Sequence, residues 1–268
     1  MSFSGWADEL QIPAQQQALD VIGNDKTTIM KIPTIQGIIN RRILVNFTVD
    51  PEIIQKIVPK PFRPKIYKDK AIVGICLIRL KEVRPKGLPS FIGISSENGA
   101  HRIAVEWTED GETKEGVYIP RRDTSSTLNS LAGGRIFPGR HYHADFDVKE
   151  TNGHYHVAFR SSDGTTISID GDETDTLNEN SIFKTLDTAS KFFENGAVAY
   201  SPNGDKFDGL ELEAFNWEVK PLDVTAVHSS FFEDENVFPK GSVQFDNALL
   251  MTQIKHEWHS VGQKSHCL

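Results

Sequence analysis

The stretch from Glu97 to His143 concentrates the residue types that could do chemistry. Arginines, histidines and carboxylates alternate there with apolar residues at strand spacing. Arg121 and Arg122 come together after a strand and just before helix-capping residues, an arrangement suited to binding a carboxylate or a phosphate. Charged runs are usually solvated, however. Both arginines could therefore form ordinary ion pairs with neighbouring carboxylates, namely Glu106, Glu115 or Asp123.

These residue types cover the roles that an organic-acid site requires. Guanidinium groups and an imidazole can hold a carboxylate, a second carboxylate can move a proton, and a phenol or an imidazole can donate to a developing oxyanion. The predicted ligand-binding residues are Arg121, Arg122, Arg135, Arg102 and His101. The predicted catalytic residues are Glu106 or Glu97 as acid or base, and Tyr118 or His143 as donor.

Histidine pairs suggest a different chemistry. His141/His143 and His154/His156 each place two imidazoles on one strand face, as metal sites often require. In a hairpin turning at Asn152-Gly153 the pairs are about 20 Å apart at ~3.3 Å per residue, so one metal cannot bind both. A site combining the first pair with Glu97 or Glu106 remains the alternative. We predict no metal and no cofactor, because no P-loop or dinucleotide pattern occurs and HEWH at 256–259 lacks two histidines four apart.

A hairpin must position most of these side chains. Asp110-Gly111 signals a tight turn between strands 101–107 and 114–119, pairing Trp107 with Lys114 and Ile103 with Tyr118. Alternation then divides the side chains between two faces. One face carries His101, Ile103, Val105, Trp107 and Tyr118, and the other carries Arg102, Ala104, Glu106, Val117 and Ile119.

Beyond the hairpin, Pro120 predicts the end of the strand, because proline cannot donate to a ladder. Asp123 is then expected to cap a helix through Leu128 and Leu131 that Gly133-Gly134 ends. Elsewhere we predict a helical arm in residues 1–30, an irregular segment at 33–40, helices after Asp50 and Thr185, and an exposed acidic loop at 170–179. The predicted strands are 42–49, 70–83 (central), 141–149, 154–160, 209–219 and 222–228, and residues 243–254 are too mixed to assign.

Composition limits the class of partner. The chain has 268 residues, a formal charge of −8 and a pI near 5.6, which argues against nucleic acid and anionic membranes as partners. Its longest apolar run, 71–78, is far below the roughly 20 residues that span a bilayer, and no signal peptide opens the chain. We therefore expect a cytoplasmic protein with one domain at 31–268. Its terminal segments could pack between subunits of a homo-oligomer or be disordered.

Several ordered motifs resemble a known family. They lie between about residues 40 and 260 and include RRILVNFTVDPEII, VRPKGLPSFIGISSEN, AHRIAVEW, GVYIPRRDTSS, LAGGRIFPG, SPNGDKFDGLEL and ALLMTQIKHEW. They look like the bacterial domain of unknown function 2071, which is similar to the acetoacetate decarboxylase superfamily. The resemblance implies an α+β, mainly β fold, a curved antiparallel β-barrel with a few flanking helices and an internal pocket.

The resemblance also implies where chemistry would differ. Acetoacetate decarboxylases use adjacent lysines shortly after the strand that matches Gly116 to Ile119, whereas residues 121–140 here contain no lysine. Arginine stays protonated and cannot replace the amine nucleophile. We therefore predict a protein that binds a small organic acid, with lyase or hydratase activity that does not use a lysine Schiff base. The alternative is a non-catalytic ligand-binding or structural barrel.

Overall fold

The computed structural model describes residues 33–127 and 139–265. The predicted N-terminal arm, Arg135 and the predicted helix through Leu131 lie outside these residues. The strands are β1 (Ile35–Val49), β2 (Arg63–Pro64), β3 (Ile66–Tyr67), β4 (Lys70–Pro85), β5 (Ile94–Glu109), β6 (Glu112–Thr124), β7 (His141–Thr151), β8 (His154–Ser161), β9 (Thr166–Glu173), β10 (Val198–Asn203), β11 (Lys206–Ala214), β12 (Lys220–Ser229) and β13 (Gln244–Ser265). The helices are α1 (Pro51–Ile57), α2 (Leu186–Glu194) and a 3₁₀ turn at Ser90–Ile92.

All thirteen strands belong to one sheet that closes on itself. Seven strands form a ring in the order β6, β5, β4, β1, β13, β11 and β10, with β10 pairing back to β6. A second path leaves β6 through β7, β8, β9 and β12 and rejoins at β13. The pairings are antiparallel except that β6 runs parallel to β10 and to β7. The predicted mainly β class, with β4 as a central strand, is confirmed.

The central hairpin has the register that its turn predicts. Trp107 pairs with Lys114, Val105 with Gly116, and Ile103 with Tyr118. Both faces are buried. One face, with Ile103 and Tyr118, packs into a large aromatic and aliphatic core, whereas Ala104 and Ile119 on the other face pack with α2 and the cavity described below.

Pro120 does not end its strand, which corrects the prediction. Ile103 pairs with Tyr118 but His101 pairs with Arg121, so one residue of β5, Arg102, faces two of β6, Ile119 and Pro120. This is a β-bulge, and a bulge tolerates proline because the extra residue needs no ladder hydrogen bond. The extra residue also shifts the alternation of β6. Arg122 therefore lies on the same face of the sheet as Ile119. In a regular strand without the bulge, Arg121 would lie on that face.

Two further predictions were wrong, and one stretch without an assignment is strand. Residues 35–40 are strand, part of β1, because pairing with both β4 and β13 outweighs their weak strand pattern. The acidic segment at 170–179 begins as strand, since β9 reaches Glu173 between β8 and β12. Residues 243–254, left unassigned, belong mostly to the 22-residue β13, which pairs with three different strands and so has no single period.

Two of the three predicted helix caps, Asp50 and Thr185, are confirmed. Asp123 is not a cap, because it lies in β6, where Arg121 binds its carboxylate. The Asp50 carboxylate accepts a hydrogen bond from the Glu52 amide at 2.9 Å, and Thr185 Oγ1 accepts one from the Thr188 amide at 3.2 Å. These caps satisfy amides that the first helical turn leaves without partners. Both helices are short, and none of the helices in the described residues has the length and apolar character to span a bilayer.

Candidate functional site

A cavity of about 130 Å³ lies inside the seven-stranded ring. Each strand of the ring contributes to its wall, and Phe192 and Phe193 of α2 cover one side. Most of the lining side chains are apolar, which makes the few polar ones conspicuous. The polar lining residues are Arg42, Lys65, Cys76, Asn98, Arg102, Arg122, Asp123 and His141.

Strand register explains how distant parts of the chain meet in this wall. Leu44 pairs with Cys76, Cys76 with Ala100, Ala100 with Arg122, and Arg122 with His141. Directly paired residues project to the same face of a sheet. One row across β1, β4, β5, β6 and β7 therefore brings a thiol, a guanidinium and an imidazole to the cavity.

Three arginines of the wall lack an anionic partner. Arg102 donates to Asn46 Oδ1 and lies 4.9 Å from the Phe193 ring centre. Arg122 Nη2 donates to Ser201 Oγ at 3.3 Å, and Arg42 Nε donates to Cys76 Sγ at 3.3 Å.

Each guanidinium keeps one unused donor: Arg42 Nη1, Arg102 Nε and Arg122 Nε are buried without an acceptor. Within residues 33–127 and 139–265, no carboxylate lies within ion-pair distance of these three groups.

Burial weakens the charged state of two of them. It lowers the pKa of both Arg102 and Arg122 to about 10, although the nearby Cys76 sulfur opposes this shift at both groups. The Arg42 guanidinium acts against a charged Arg102 as well. Both side chains nevertheless remain cations at neutral pH. A buried unpaired charge costs several kcal/mol of solvation free energy, which an anionic ligand would offset.

His141 is the candidate proton-transfer group of the wall. Burial, together with the positive charge of Arg122, lowers the pKa of His141 to about 4. The imidazole is then neutral at physiological pH. Its Nδ1 lies 3.0 Å from the Gly139 carbonyl oxygen, so Nδ1 carries the proton and Nε2 is the acceptor nitrogen.

Gly74 makes room for Arg102. A Cβ on Gly74 would lie 2.2 Å from the Val45 carbonyl oxygen and 3.3 Å from Arg102 Nη2. We expect Gly74→Ala to lower the free energy of unfolding by about 2–3 kcal/mol, because overpacking against backbone cannot relax cheaply. Urea unfolding measures this change. Gly262→Ala is the control, since its Cβ meets no atom within 4 Å, and equal losses in both variants would contradict the expectation.

The structure separates the two adjacent arginines of the predicted anchor set. Arg122 lines the cavity together with Arg102, as the anchor prediction requires. Arg121 points to the other face, where it binds both oxygens of the buried Asp123 and also pairs with Asp163. Arg121 therefore forms ordinary ion pairs with neighbouring carboxylates, whereas Arg122 keeps the position in which it could bind an anion.

His101 is also on the face opposite the cavity. It is fully buried, its ring lies 4.4 Å from that of Phe231, and neither ring nitrogen has a hydrogen-bond partner. Its Nδ1 is 3.8 Å from Asp123 Oδ2. Burial first, and then the charge of Arg121, lower the pKa of His101 to about 3. His101 is thus a neutral core residue in this structure.

The four predicted catalytic residues do not line this cavity. Glu97 pairs with Arg41 at 2.6 Å and with Arg79, whereas Glu106 pairs with Arg63 at 2.8 Å. Tyr118 packs against Phe62 and Phe207, and burial raises its pKa. His143 lies in β7 opposite Thr124 of β6.

Four polar wall residues were not predicted as site residues: Arg42, Lys65, Cys76 and Asn98. Arg42 and Cys76 lie in strands that look like ordinary core strands, and nothing local marks them as polar wall positions. Lys65 pairs with Glu115 and lies 4.2 Å from the Phe192 ring centre. A Schiff-base lysine needs desolvation or a neighbouring cation. Lys65 instead lies beside a carboxylate, which meets neither condition for a Schiff-base lysine.

The C-terminal HEWH segment is strand, which splits its residues between two faces. Glu257 and His259 share a face with Glu213, and their ligand atoms lie within 4.8 Å of one another. Lys86 Nζ already pairs with Glu257 at 2.8 Å, and His259 Nε2 lies 3.0 Å from Glu213. Glu257 is therefore neutralised by Lys86, and Glu213 is already in contact with His259.

A comparison with protein-family models identifies the family of this chain. The model of DUF2071, described as an uncharacterized conserved protein, matches residues 39–251. The match covers most of the chain, so this protein belongs to the DUF2071 family. A search of curated proteins found no match.

Solved structures with the same fold are acetoacetate decarboxylases and similar enzymes. Acetoacetate decarboxylase from Legionella pneumophila has a TM-score of 0.56 at 10% identity, covering 96% of this chain and 99% of that one. An acetoacetate decarboxylase-like enzyme from Sphingomonas wittichii RW1 has a TM-score of 0.55 at 8% identity, covering 88% and 94%. The enduracididine biosynthesis enzyme MppR, complexed with pyruvate, has a TM-score of 0.51 at 11% identity, covering 90% and 93%. The chain therefore has the acetoacetate decarboxylase fold.

Proposed function

We propose that this protein binds a small organic acid in the cavity inside the seven-stranded ring. The observation that carries the proposal is three guanidinium groups, each with an unused donor, around one largely apolar cavity. Arg122 and Arg102 hold the carboxylate, and Arg42 joins them. Arg121 is not part of this proposed site, because it donates its hydrogen bonds to Asp123 and Asp163.

The fold relatives support a small acid as ligand. MppR, which has the same fold, is described in complex with pyruvate, and other relatives are described as acetoacetate decarboxylases. Both names involve short oxo acids. The amine chemistry does not follow, because Lys65, which contacts the carboxylate of Glu115, is the sole lysine among the cavity residues that the structure describes.

Chemistry at this site would use His141 and the arginines. A neutral imidazole can accept a proton from carbon or water, and guanidinium groups can stabilise an enolate or a carboxylate next to it. A lyase or hydratase acting on an oxo or hydroxy acid fits these groups. A protein that binds the acid without turning it over uses the same arginines but does not need His141.

Thermal unfolding in the presence of pyruvate and longer 2-oxo acids tests the proposal. We expect an acid at 100 times its dissociation constant to stabilise the protein by ~2.7 kcal/mol, which raises the unfolding temperature by roughly 5–10 °C. Arg122→Met should lose this shift because it removes a cation from the wall.

Arg63→Met is the matched control, since Arg63 pairs with Glu106 away from the cavity and should leave the shift unchanged. No stabilisation by any acid, or full stabilisation of the Arg122 variant, would contradict the proposal. Release of carbon dioxide, or a change in absorbance of the bound acid, then distinguishes an enzyme from a binding protein. Loss of turnover in His141→Gln with retained binding would assign the proton transfer to that residue.

A further inference from the structure

The charges around the cavity do not balance. Asp123 contributes to the wall, but its carboxylate lies with Arg121, which donates to both of its oxygens, and Lys65 is neutralised by Glu115. His141 is neutral at physiological pH, since burial and Arg122 lower its pKa to about 4. After these pairs are subtracted, Arg42, Arg102 and Arg122 remain. The described part of the wall therefore carries three uncompensated positive charges.

One carboxylate carries one negative charge and would leave two of the three guanidinium charges uncompensated. The three come from different strands, β1, β5 and β6, and each is oriented by its own neighbour, Cys76, Asn46 or Ser201. Leu44, Cys76, Ala100 and Arg122 form one row of directly paired residues. Arg42 lies two residues from Leu44 along β1, on one side of this row. Arg102 lies two residues from Ala100 along β5, on the other side. Residues two apart on a strand are about 6.6 Å apart. The positive charge is thus spread along the cavity.

The cavity size limits the length of the ligand. Its volume of about 130 Å³ is about four times the roughly 30 Å³ that one water molecule takes up in the liquid. The ligand is therefore a short molecule of a few carbon atoms. The methylene groups of a short dicarboxylate would contact the aliphatic wall, whereas a compact inorganic ion makes no such contact.

We infer that the natural ligand is a dianion with two separated carboxylates, of the size of a four- or five-carbon oxo diacid. This inference rests on the proposed function and narrows its ligand class. One carboxylate binds Arg122 and Arg102, on neighbouring strands and close to His141. The other binds Arg42, which lies on the opposite side of the Arg122 row.

Calorimetric titration of the full chain at fixed ionic strength tests this with a matched pair. 2-Oxoglutarate and 2-oxopentanoate share a carbon chain and an oxo group and differ in the terminal carboxylate. We expect the diacid to bind at least roughly tenfold more tightly, as one more charge-assisted contact implies. Arg42→Gln should reduce that ratio toward one, because it removes a partner of the second carboxylate. Inorganic phosphate, a compact dianion, should bind more weakly than the diacid.

The location of the diacid is measured at Cys76. In a Cys267→Ser background, 2-oxoglutarate should slow alkylation of Cys76 by a small haloacetamide, because the thiol lies in the same wall. Binding of pyruvate or 2-oxopentanoate with equal or greater affinity than the diacid would overturn the inference and leave the proposed function standing. Stronger binding of phosphate would also overturn it. Failure of every organic acid to bind would overturn both.

Discussion

Arg122→Met should make the ligand-free protein more stable and at the same time abolish organic-acid binding. Arg122 is partly exposed, but its Nε is buried in the cavity wall without an acceptor. Its single described hydrogen bond, to Ser201, is 3.3 Å long, and burial lowers its pKa to about 10. Replacing a buried, poorly compensated charge by an apolar side chain of similar length is neutral or stabilises by about 1–4 kcal/mol. Loss of a buried charge contact to a ligand costs about 2–5 kcal/mol of binding free energy. Urea unfolding and calorimetric titration measure the two effects.

The neighbouring arginine provides a control of opposite sign. Arg121→Met leaves the fully buried Asp123 carboxylate without the guanidinium that binds both of its oxygens. Breaking a buried ion pair from one side destabilises by about 3–5 kcal/mol. Two adjacent substitutions of the same kind should thus change stability in opposite directions. A loss of stability of similar size in both would show that Arg122 is a structural residue and would remove the basis of the ligand proposal.

Buried neutral histidines should make the protein sensitive to acid. The folded-state pKa of His101 is about 3 and that of His256 about 4, both lowered mainly by burial, against about 6.5 in the unfolded chain. Between these values and pH 6.5 the unfolded state binds a proton that the folded state does not. Stability is therefore lost as the pH falls from 6.5 toward 4, with about 1.4 kcal/mol per pH unit from each group.

His101→Leu should remove one such contribution. We expect the slope of unfolding free energy against pH between 4 and 6 to fall by about 1.4 kcal/mol per unit, whatever the substitution does to absolute stability. Denaturant unfolding at a series of pH values measures the slope. His256→Leu should give a similar change, and the two should add because the residues do not share partners. An unchanged slope in both variants would contradict the prediction.

Local signals in the sequence predicted much of the fold. Asp110-Gly111 and Asn152-Gly153 both adopt turns with positive φ, and the register of each hairpin follows from them. Asp50 and Thr185 marked their helices for the same reason, because a cap depends on residues within one turn. These features need no knowledge of the rest of the molecule.

The site depends on contacts that no local signal encodes. The bulge at Pro120 turns Arg122, not Arg121, toward the cavity, and a bulge follows from pairing with β5. Arg42 and Cys76 reach the wall because β1, β4 and β5 lie side by side, which the separate strand patterns do not state. For the same reason Glu97 and Glu106 looked available in the sequence, although arginines from other strands pair with them.

A crystal structure of the protein soaked with 2-oxoglutarate tests the central claim most directly. We predict density for the diacid inside the seven-stranded ring, with carboxylate oxygens within hydrogen-bonding distance of Arg122 and Arg102 at one end and of Arg42 at the other. An empty cavity at a concentration that saturates binding in solution, or a diacid bound outside the ring, would contradict the claim that these unpaired guanidinium groups form the ligand site.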